Sequence, residues 1–291
     1  MNGIININKE KGYTSQQVVS FVKKILNVKK AGHTGTLDPN ATGVLPICLG
    51  RATKFAGLIT GRDKIYKAVL ILGIKTDTQD ITGNIIEKKH VNIPQLKIKE
   101  AIYSFVGEIE QMPPMYSAIK VNGVRLHTLA RQNIEIERKK RRVKIHNIKV
   151  VKFISLNEIE IEVHCTGGTY IRTLCEDIGA KLNVGGVMGD LVRLASGSFF
   201  IDDSFTLGQL KCFNKDFIVS IENILVDYPT VFAMPCANKY LQNGNKLISS
   251  HIYDLLNLEN NQVVKVYGEN KKLYGLYKLC ENELKPVVYI G

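Results

Sequence analysis

Apolar and polar residues alternate over residues 3–8, which predicts a first strand closed by a turn at Lys11-Gly12. The period then lengthens. Thr14 and Gln17 form a capping-box pattern ahead of Val18, Phe21, Val22 and Ile25, which share one helical face. Residues 51–59 read as a short helix, and 64–74 as a strand in which period two sets Tyr66 on the face of Ala68, Leu70 and Leu72. Residues 76–83 are turn-rich, and 94–105 are helical with Ile98, Ile102 and Phe105 on one face. Paired prolines exclude regular structure from residues 112–117. Alternation returns over 143–153 and 159–166, Gly167-Gly168 breaks the second strand, and 169–182 form a helix striped by Ile171, Leu174, Cys175, Ile178 and Leu182. Gly185-Gly186 leads into 188–194, a further short helical segment. A boundary is expected near 227–235, followed by a turn at Asn243-Gly244 and short strands at 263–267, 273–279 and 286–290, as in a small β-barrel-like unit.

One stretch fits neither period. Residues 31–50, AGHTGTLDPNATGVLPICLG, place glycines and threonines around a single acid, Asp38, in front of Pro39. An Asp-Pro pair starts turns, so an Asx-turn or a cap is one reading of Asp38. The apolar run 44–49 buries the exit of the loop, and the basic character of the chain makes a lone acid there a candidate for chemistry.

Hydrophobic residues make up 45% of the 291, enough for a sizeable core and against global disorder. The formal charge of +12 favours a polyanionic partner, nucleic acid or an anionic membrane surface. No apolar run reaches the roughly 18 residues of a membrane span. The six cysteines are scattered without a CxxC pair and suit buried, reduced thiols in a cytoplasmic protein. With no HExxH and no P-loop, neither a metal nor a nucleotide cofactor is expected.

Two cationic features stand out. Arg172 falls in the first turn of its helix, where a cation opposes the macrodipole; it pairs either with Glu176 or with a carboxylate across a cleft. Arg125, Arg131 and the run Arg138, Lys139, Lys140, Arg141, Arg142 and Lys144 lie in a polar insertion that continues into a strand. Such a run is either a solvated face or a basic flap that grips RNA.

Four motifs together resemble the bacterial tRNA pseudouridine-55 synthases, the TruB family: GHTGTLDPNATGVLPICLG, MPPMYSAIKVNG, GGTYIRTLCEDIG and GGVMGDLVRL. They span nearly all of residues 4–200, in the family's order, and YLQNGNKL resembles more weakly a short PUA RNA-binding domain. Two positions depart from the pattern: Lys9-Glu10 replaces a Lys-Pro, and Val192-Arg193 replaces an arginine pair. The resemblance implies an α+β fold. A mixed, mainly antiparallel central sheet flanked by helices would occupy 1–228, with the basic insertion at about 112–145 and a small β-rich PUA-like domain at 229–291. It further implies Asp38 as nucleophile, Arg172 as the cation that orients it, and Tyr66 as the group that stacks on the base and accepts a proton. His33 would help displace the uridine, Tyr170 and Leu191 would line the uracil pocket, Lys9 would stand nearby, and Arg141 and Arg142 would meet phosphates.

The implied partner is tRNA, through its T-arm, and the implied protein is a cytoplasmic monomer that needs no cofactor, guide RNA or membrane. Two alternatives share much of this pattern. One is a related synthase that works with guide RNAs and partner proteins. The other is a non-catalytic RNA chaperone, with the same charge and flap.

Overall fold

Among the described residues, ten strands join in one mixed sheet. The computed structural model describes every residue except 118, 122, 131, 133, 135, 213–216 and 254–257, so Arg131 of the basic run lies outside the described residues. The sheet begins with β1 (Gly3–Lys9), β2 (Ala31–His33), β3 (Thr42–Leu49) and β4 (Lys64–Leu72). A hairpin of β5 (Ile74–Thr76) and β6 (Ile85–Lys88) stands apart from it. After β7 (Gly107–Gln111), a second small ribbon, β8 (Lys120–Val121) with β9 (Val124–Arg125), lies in the basic insertion. Then come β10 (Arg141–Phe153), β11 (Glu158–Cys165), β12 (Gly186–Ser196), β13 (Phe199–Phe200) and β14 (Ile218–Val219).

The spatial order is β14-β1-β3-β12-β4-β11-β10-β7, with β2 added to β3 and β13 to β12. One pairing in this sheet is parallel: β12 runs alongside β3, with Val192 opposite Thr42 and Arg193 opposite Gly43. Gly43 has φ +100°, and a Cβ there would overlap the backbone of Arg193. Only glycine lets the loop exit press against this strand.

The segment 188–194, expected to be helical, lies within β12 instead. Its register against β4 shifts between Met188 and Leu191 and again between Arg193 and Ala195. These bulges displace the two-residue period, so Val187, Leu191 and Leu194 fall at helix-like spacing in a strand paired on both sides.

Helices cover both faces. α1 (Ser15–Ile25) forms the Thr14–Gln17 capping box and buries Val18, Val19 and Val22 against Ile5, Ile7, Leu45 and Ile47. Phe21, expected on the buried face, is 45% exposed and meets Tyr13 edge-on, because the buried arc turns toward Val19 and Leu26. A 3-10 turn (Gly50–Phe55) runs into α2 (Ala56–Thr60) where one helix was expected. On the other face, α3 (Gln95–Tyr103) and α5 (Ile171–Lys181) pack on β4, β10 and β11, while α4 (Leu126–Ala130) sits in the basic insertion. α5 lies close on β12, since a Cβ at Gly179 would overlap the backbone of Gly185 and Gly186.

Near the C-terminus, β15 (Thr230–Phe232), β16 (Leu247–Ile248), β17 (Val263–Tyr267), β18 (Leu273–Cys280) and β19 (Glu283–Tyr289) form a second sheet in the order β15-β17-β18-β19-β16. The three expected strands are joined by two short edge strands. This sheet has its own core around Tyr277. Leu273, Leu276 and Ile290 also share a core with Ile4, Phe55 and Ile224, and Arg51 and Lys54 donate to the Ile290 and Tyr289 carbonyls. Cys48, Cys165 and Cys175 are buried free thiols, whereas Cys212 and Cys236 are exposed. Among the described residues no helix is long and apolar enough to cross a membrane.

The glycine contact between α5 and β12 makes the fold sensitive to a small change. Gly179→Val is expected to destabilise the protein by about 1–3 kcal/mol, read as a lowered urea midpoint with an unchanged slope.

Candidate active site

The loop between β2 and β3 is held mainly through its backbone, with the Thr34 hydroxyl donating to Pro46 O at 3.3 Å. Ser15 Oγ accepts from Leu37 N–H at 2.9 Å and donates to Leu37 O at 3.0 Å, which ties the loop to the start of α1. Ala41 N–H closes a turn on Asp38 O at 3.0 Å. Pro39 O receives the Gly12 N–H at 2.8 Å and the Lys9 ammonium at 3.1 Å. The turn therefore uses the carbonyl of Asp38. Among the described residues, no loop N–H bonds its carboxylate, which points outward and is 38% exposed.

That carboxylate meets Arg172. The Nε of Arg172 lies 3.2 Å from Asp38 Oδ2, while its side chain is only 7% exposed. The guanidinium is fixed on its other sides as well. Nη1 lies 3.8 Å from Asp80 Oδ2 and donates to Thr78 O at 3.3 Å, and Nη2 donates to Tyr116 O at 2.8 Å. Asp80 is in turn held by Thr78 Oγ1 and by the N–H and hydroxyl of Thr82, at 2.8, 2.9 and 2.6 Å. Glu176, the alternative partner, instead accepts from the Gln79 amide. The cross-cleft reading of Arg172 is the one the structure shows.

A second arginine organises the floor. Arg193 is 1% exposed, and it donates from Nε to Val44 O at 2.7 Å and from Nη2 to Gly35 O at 3.1 Å. It therefore clasps both shoulders of the loop that carries Asp38. The same side chain acts electrostatically on the Tyr66 hydroxyl, and Arg193 and Tyr66 are paired residues on β12 and β4. Burial raises the Tyr66 pKa and outweighs the opposing influence of the arginine, so the phenol is neutral near pH 7. Tyr66 faces the core with Ala68 and Leu70, as the two-residue period predicts, and Leu191, opposite Ala68, lies 8% exposed in that cluster.

His33 on β2 accepts the Gly35 N–H at its Nδ1, at 3.4 Å. Burial and then the charge of Arg193 lower its pKa, which favours a neutral ring whose Nε2 carries the proton. Lys9 is fully buried, donating to Glu10 O and Pro39 O at 3.0 and 3.1 Å. Burial pushes its pKa down to about 8 despite the attraction of Asp38.

Tyr170 caps α5, its backbone bracketed by the Gln111 amide, which accepts from Tyr170 N–H at 3.0 Å and donates to Tyr170 O at 3.2 Å. Gln111 pairs with Arg141 on β10, and Glu110 with Arg142, so both arginines are exposed strand residues rather than loop residues. They form a basic edge one pairing removed from the start of α5. Arg193 entered the sequence reading only as the remaining member of an altered arginine pair, and Asp80 not at all. The helical reading of 188–194 hid the alternation that aims Arg193 at Tyr66, and a turn-rich TDTQDITG gives no sign that its second aspartate faces a cleft. Among the described residues, the one grouping of three potential metal ligands is Asp63, His146 and His164, outside this cleft.

Comparison with known proteins gives a consistent result. The TruB family pseudouridylate synthase N-terminal domain matches residues 23–171, and the tRNA pseudouridylate synthase B C-terminal domain matches 172–221. The tRNA pseudouridine synthase B of Alkaliphilus oremlandii (strain OhILAs) is 45% identical over 100% of this chain and 97% of its own. That of Clostridium kluyveri is 47% identical over 95% of each. Among solved structures, a Cbf5-Nop10-Gar1 complex superposes with a TM-score of 0.74 at 29% identity, over 99% of this chain and 84% of that one. An H/ACA RNP bound to a substrate RNA containing 2'-deoxyuridine gives 0.72 at 26%, over 99% and 85%.

Lys9 supplies a pH test of this geometry. In the folded chain it releases its proton near pH 8, against 10.5 for an unhindered lysine. The unfolded state then binds more protons between these values, so the contribution of Lys9 to stability rises with pH across that window. Lys9→Met is expected to show a smaller rise in urea midpoint from pH 8 to pH 10.5 than the parent. Equal pH dependence in the two proteins would place the proton release elsewhere.

Proposed function

The chain belongs to the TruB family of pseudouridylate synthases, and we propose that it isomerises uridine 55 in the tRNA T-loop with Asp38 as the covalent nucleophile. Its full-length relatives are tRNA pseudouridine synthases, so the reaction class is uridine isomerisation in tRNA. The observation that carries the nucleophile assignment is the ion pair. One half-exposed carboxylate, free of backbone bonds, is aligned by an arginine that is itself held by three further groups.

In the reaction the C1′–N1 bond breaks and a C1′–C5 bond forms. The C5 proton leaves and N1 gains one, with no net oxidation or reduction. The uridine must first be extruded from its stack. Asp38 attacks either the sugar or the ring and holds that part while the uracil turns; both routes require an ionised carboxylate in fixed orientation. Arg172 supplies the orientation. Tyr66 stacks on the base in its neutral form; once its phenol proton has passed to N1 of the detached ring it takes the C5 proton from the adduct and ends neutral, with the charge of Arg193 offsetting the transient phenolate. Leu191 and Tyr170 line the uracil pocket, and neutral His33 helps displace the uridine from the T-loop. Lys9 holds the turn that presents Asp38.

Arg141 and Arg142 form the start of an RNA-gripping edge on phosphates, and the net charge of +12 draws tRNA toward it. We assign residues 1–228 to catalysis and 229–291, whose five strands form a separate sheet, to a PUA-like unit on the acceptor end. The protein acts as a cytoplasmic monomer without a guide RNA. The likeness to H/ACA structures favours a second reading, a guide-dependent synthase. An assay containing only this protein and unmodified tRNA separates the two: pseudouridine forms on the first reading and does not on the second.

Asp38→Ala is expected to abolish tritium release from C5-labelled uridine in tRNA while leaving tRNA affinity within a few-fold. Retained turnover removes Asp38 as nucleophile; lost turnover with lost binding assigns it to recognition. Reversing the charge of Arg141 and Arg142 to Glu is expected to weaken binding and flatten its salt dependence by about one unit of log–log slope per lost phosphate contact. An unchanged slope returns that edge to plain solvated surface.

A further inference from the structure

Outside the cleft, three strands bring together side chains that no sequence spacing connects. Val163 and Cys165 of β11 point into the core beneath α5, so period two turns His164 to the opposite face of the sheet. His146 arrives on that face through a β-bulge: Ile145 pairs with Cys165 and Asn147 with His164, which leaves His146 as the extra residue. A bulge re-aims the side chain it carries, and this one tilts the His146 ring against that of His164, with centroids 4.7 Å apart. Asp63 completes the group from the residue preceding β4, its carbonyl held by Gly197 N–H at 2.9 Å.

The donor atoms converge. His146 Nε2 lies 3.0 Å and His164 Nε2 3.8 Å from the same Asp63 Oδ2, and one donor from each residue falls within 4.8 Å of the others. Zinc bound tetrahedrally at about 2.0–2.1 Å sets its ligand atoms about 3.3 Å apart, a value these distances bracket. The His146 Nε2 atom is exposed by less than 1 Å² and has no hydrogen-bond partner among the described residues, although the carboxylate oxygen is so near. An ordinary His–Asp hydrogen bond does not account for that nitrogen. Asp63 and His164 are 45% and 43% exposed, so water has access to the remaining coordination positions. Cys165 faces the other way, into the core beneath α5, which keeps the donor set at two nitrogens and one oxygen.

We propose that Asp63, His146 and His164 bind a divalent transition ion, zinc foremost, with water completing the shell. Two imidazoles and a carboxylate suit such an ion better than the hard calcium or magnesium. The ion links β4, β10 and β11 at the end of the sheet from which Tyr66 projects, three residues beyond Asp63. The proposal does not depend on the reaction assigned above.

The test uses tag-free, full-length protein stripped of metal. Zinc titrated by calorimetry is expected to bind with one equivalent and to raise the thermal midpoint. Cobalt in its place is expected to give d–d absorption bands without a thiolate charge-transfer band. Asp63→Asn and His164→Ala, each checked for native circular dichroism, are expected to weaken zinc binding by more than about 100-fold. Three results overturn the proposal: no saturable binding by the parent protein, a thiolate band in the cobalt spectrum, or unchanged binding in both variants. The cobalt spectrum of the parent decides the ligand set even if a variant fails to fold.

Discussion

A guanidinium in the first turn of a helix works against the helix dipole, and Arg172 is placed there with almost no exposure to water. Burying such a charge without partners costs several kcal/mol, so its surroundings must answer for it. They do so from three segments: Asp38 in the loop between β2 and β3, Thr78 and Asp80 in the turn before β6, and Tyr116 in the double-proline stretch. The cleft is in effect the set of groups needed to make that arginine tolerable. Asp38 alone of these partners keeps an open face. A side chain that looks misplaced on its own helix is what gathers the loops of the site.

Around this pair the protein arranges cations whose charge is tied to carbonyl oxygens rather than to acids. Lys9 ends on Glu10 and Pro39, Lys64 on Ile59, Thr60 and Arg62, and Arg193 on Val44 and Gly35. Burial lowers the pKa of Lys9 and Lys64 to about 8. Of these, Lys9 and Arg193 flank the loop that carries Asp38, and neither makes an ion pair with its carboxylate. Positive charge so placed suits an anionic substrate.

Much of this was legible in the chain. The capping box at Thr14 and Gln17, the alternation that turns Tyr66 inward and the irregular segment around Asp38 are local signals, and local signals survive into the fold. Arg172 could be recognised as anomalous because its anomaly is local too. What stayed hidden depended on partners distant in sequence. The bulges of β12 break its period only because β4 imposes a register on it, and that concealed Arg193. Asp80 sits among residues that make good turns whatever they face. The His–His–Asp grouping joins three strands with no shared spacing. Burial of Val19 in place of Phe21 likewise follows from where Leu207 and Leu210 arrive.

The single parallel pairing of the main sheet has a consequence for how the protein is made. β3 and β12 meet through residues about 150 positions apart, and the arginine that clasps the loop bearing Asp38 belongs to the later strand. A contact of such high sequence separation forms after local helices and hairpins, since loop closure must be met before it is rewarded. During synthesis the loop bearing Asp38 leaves the ribosome long before Arg172 and Arg193 exist to hold it. No partial chain carries a working half of the site, and the capacity for chemistry arrives in one step, when the far strand docks.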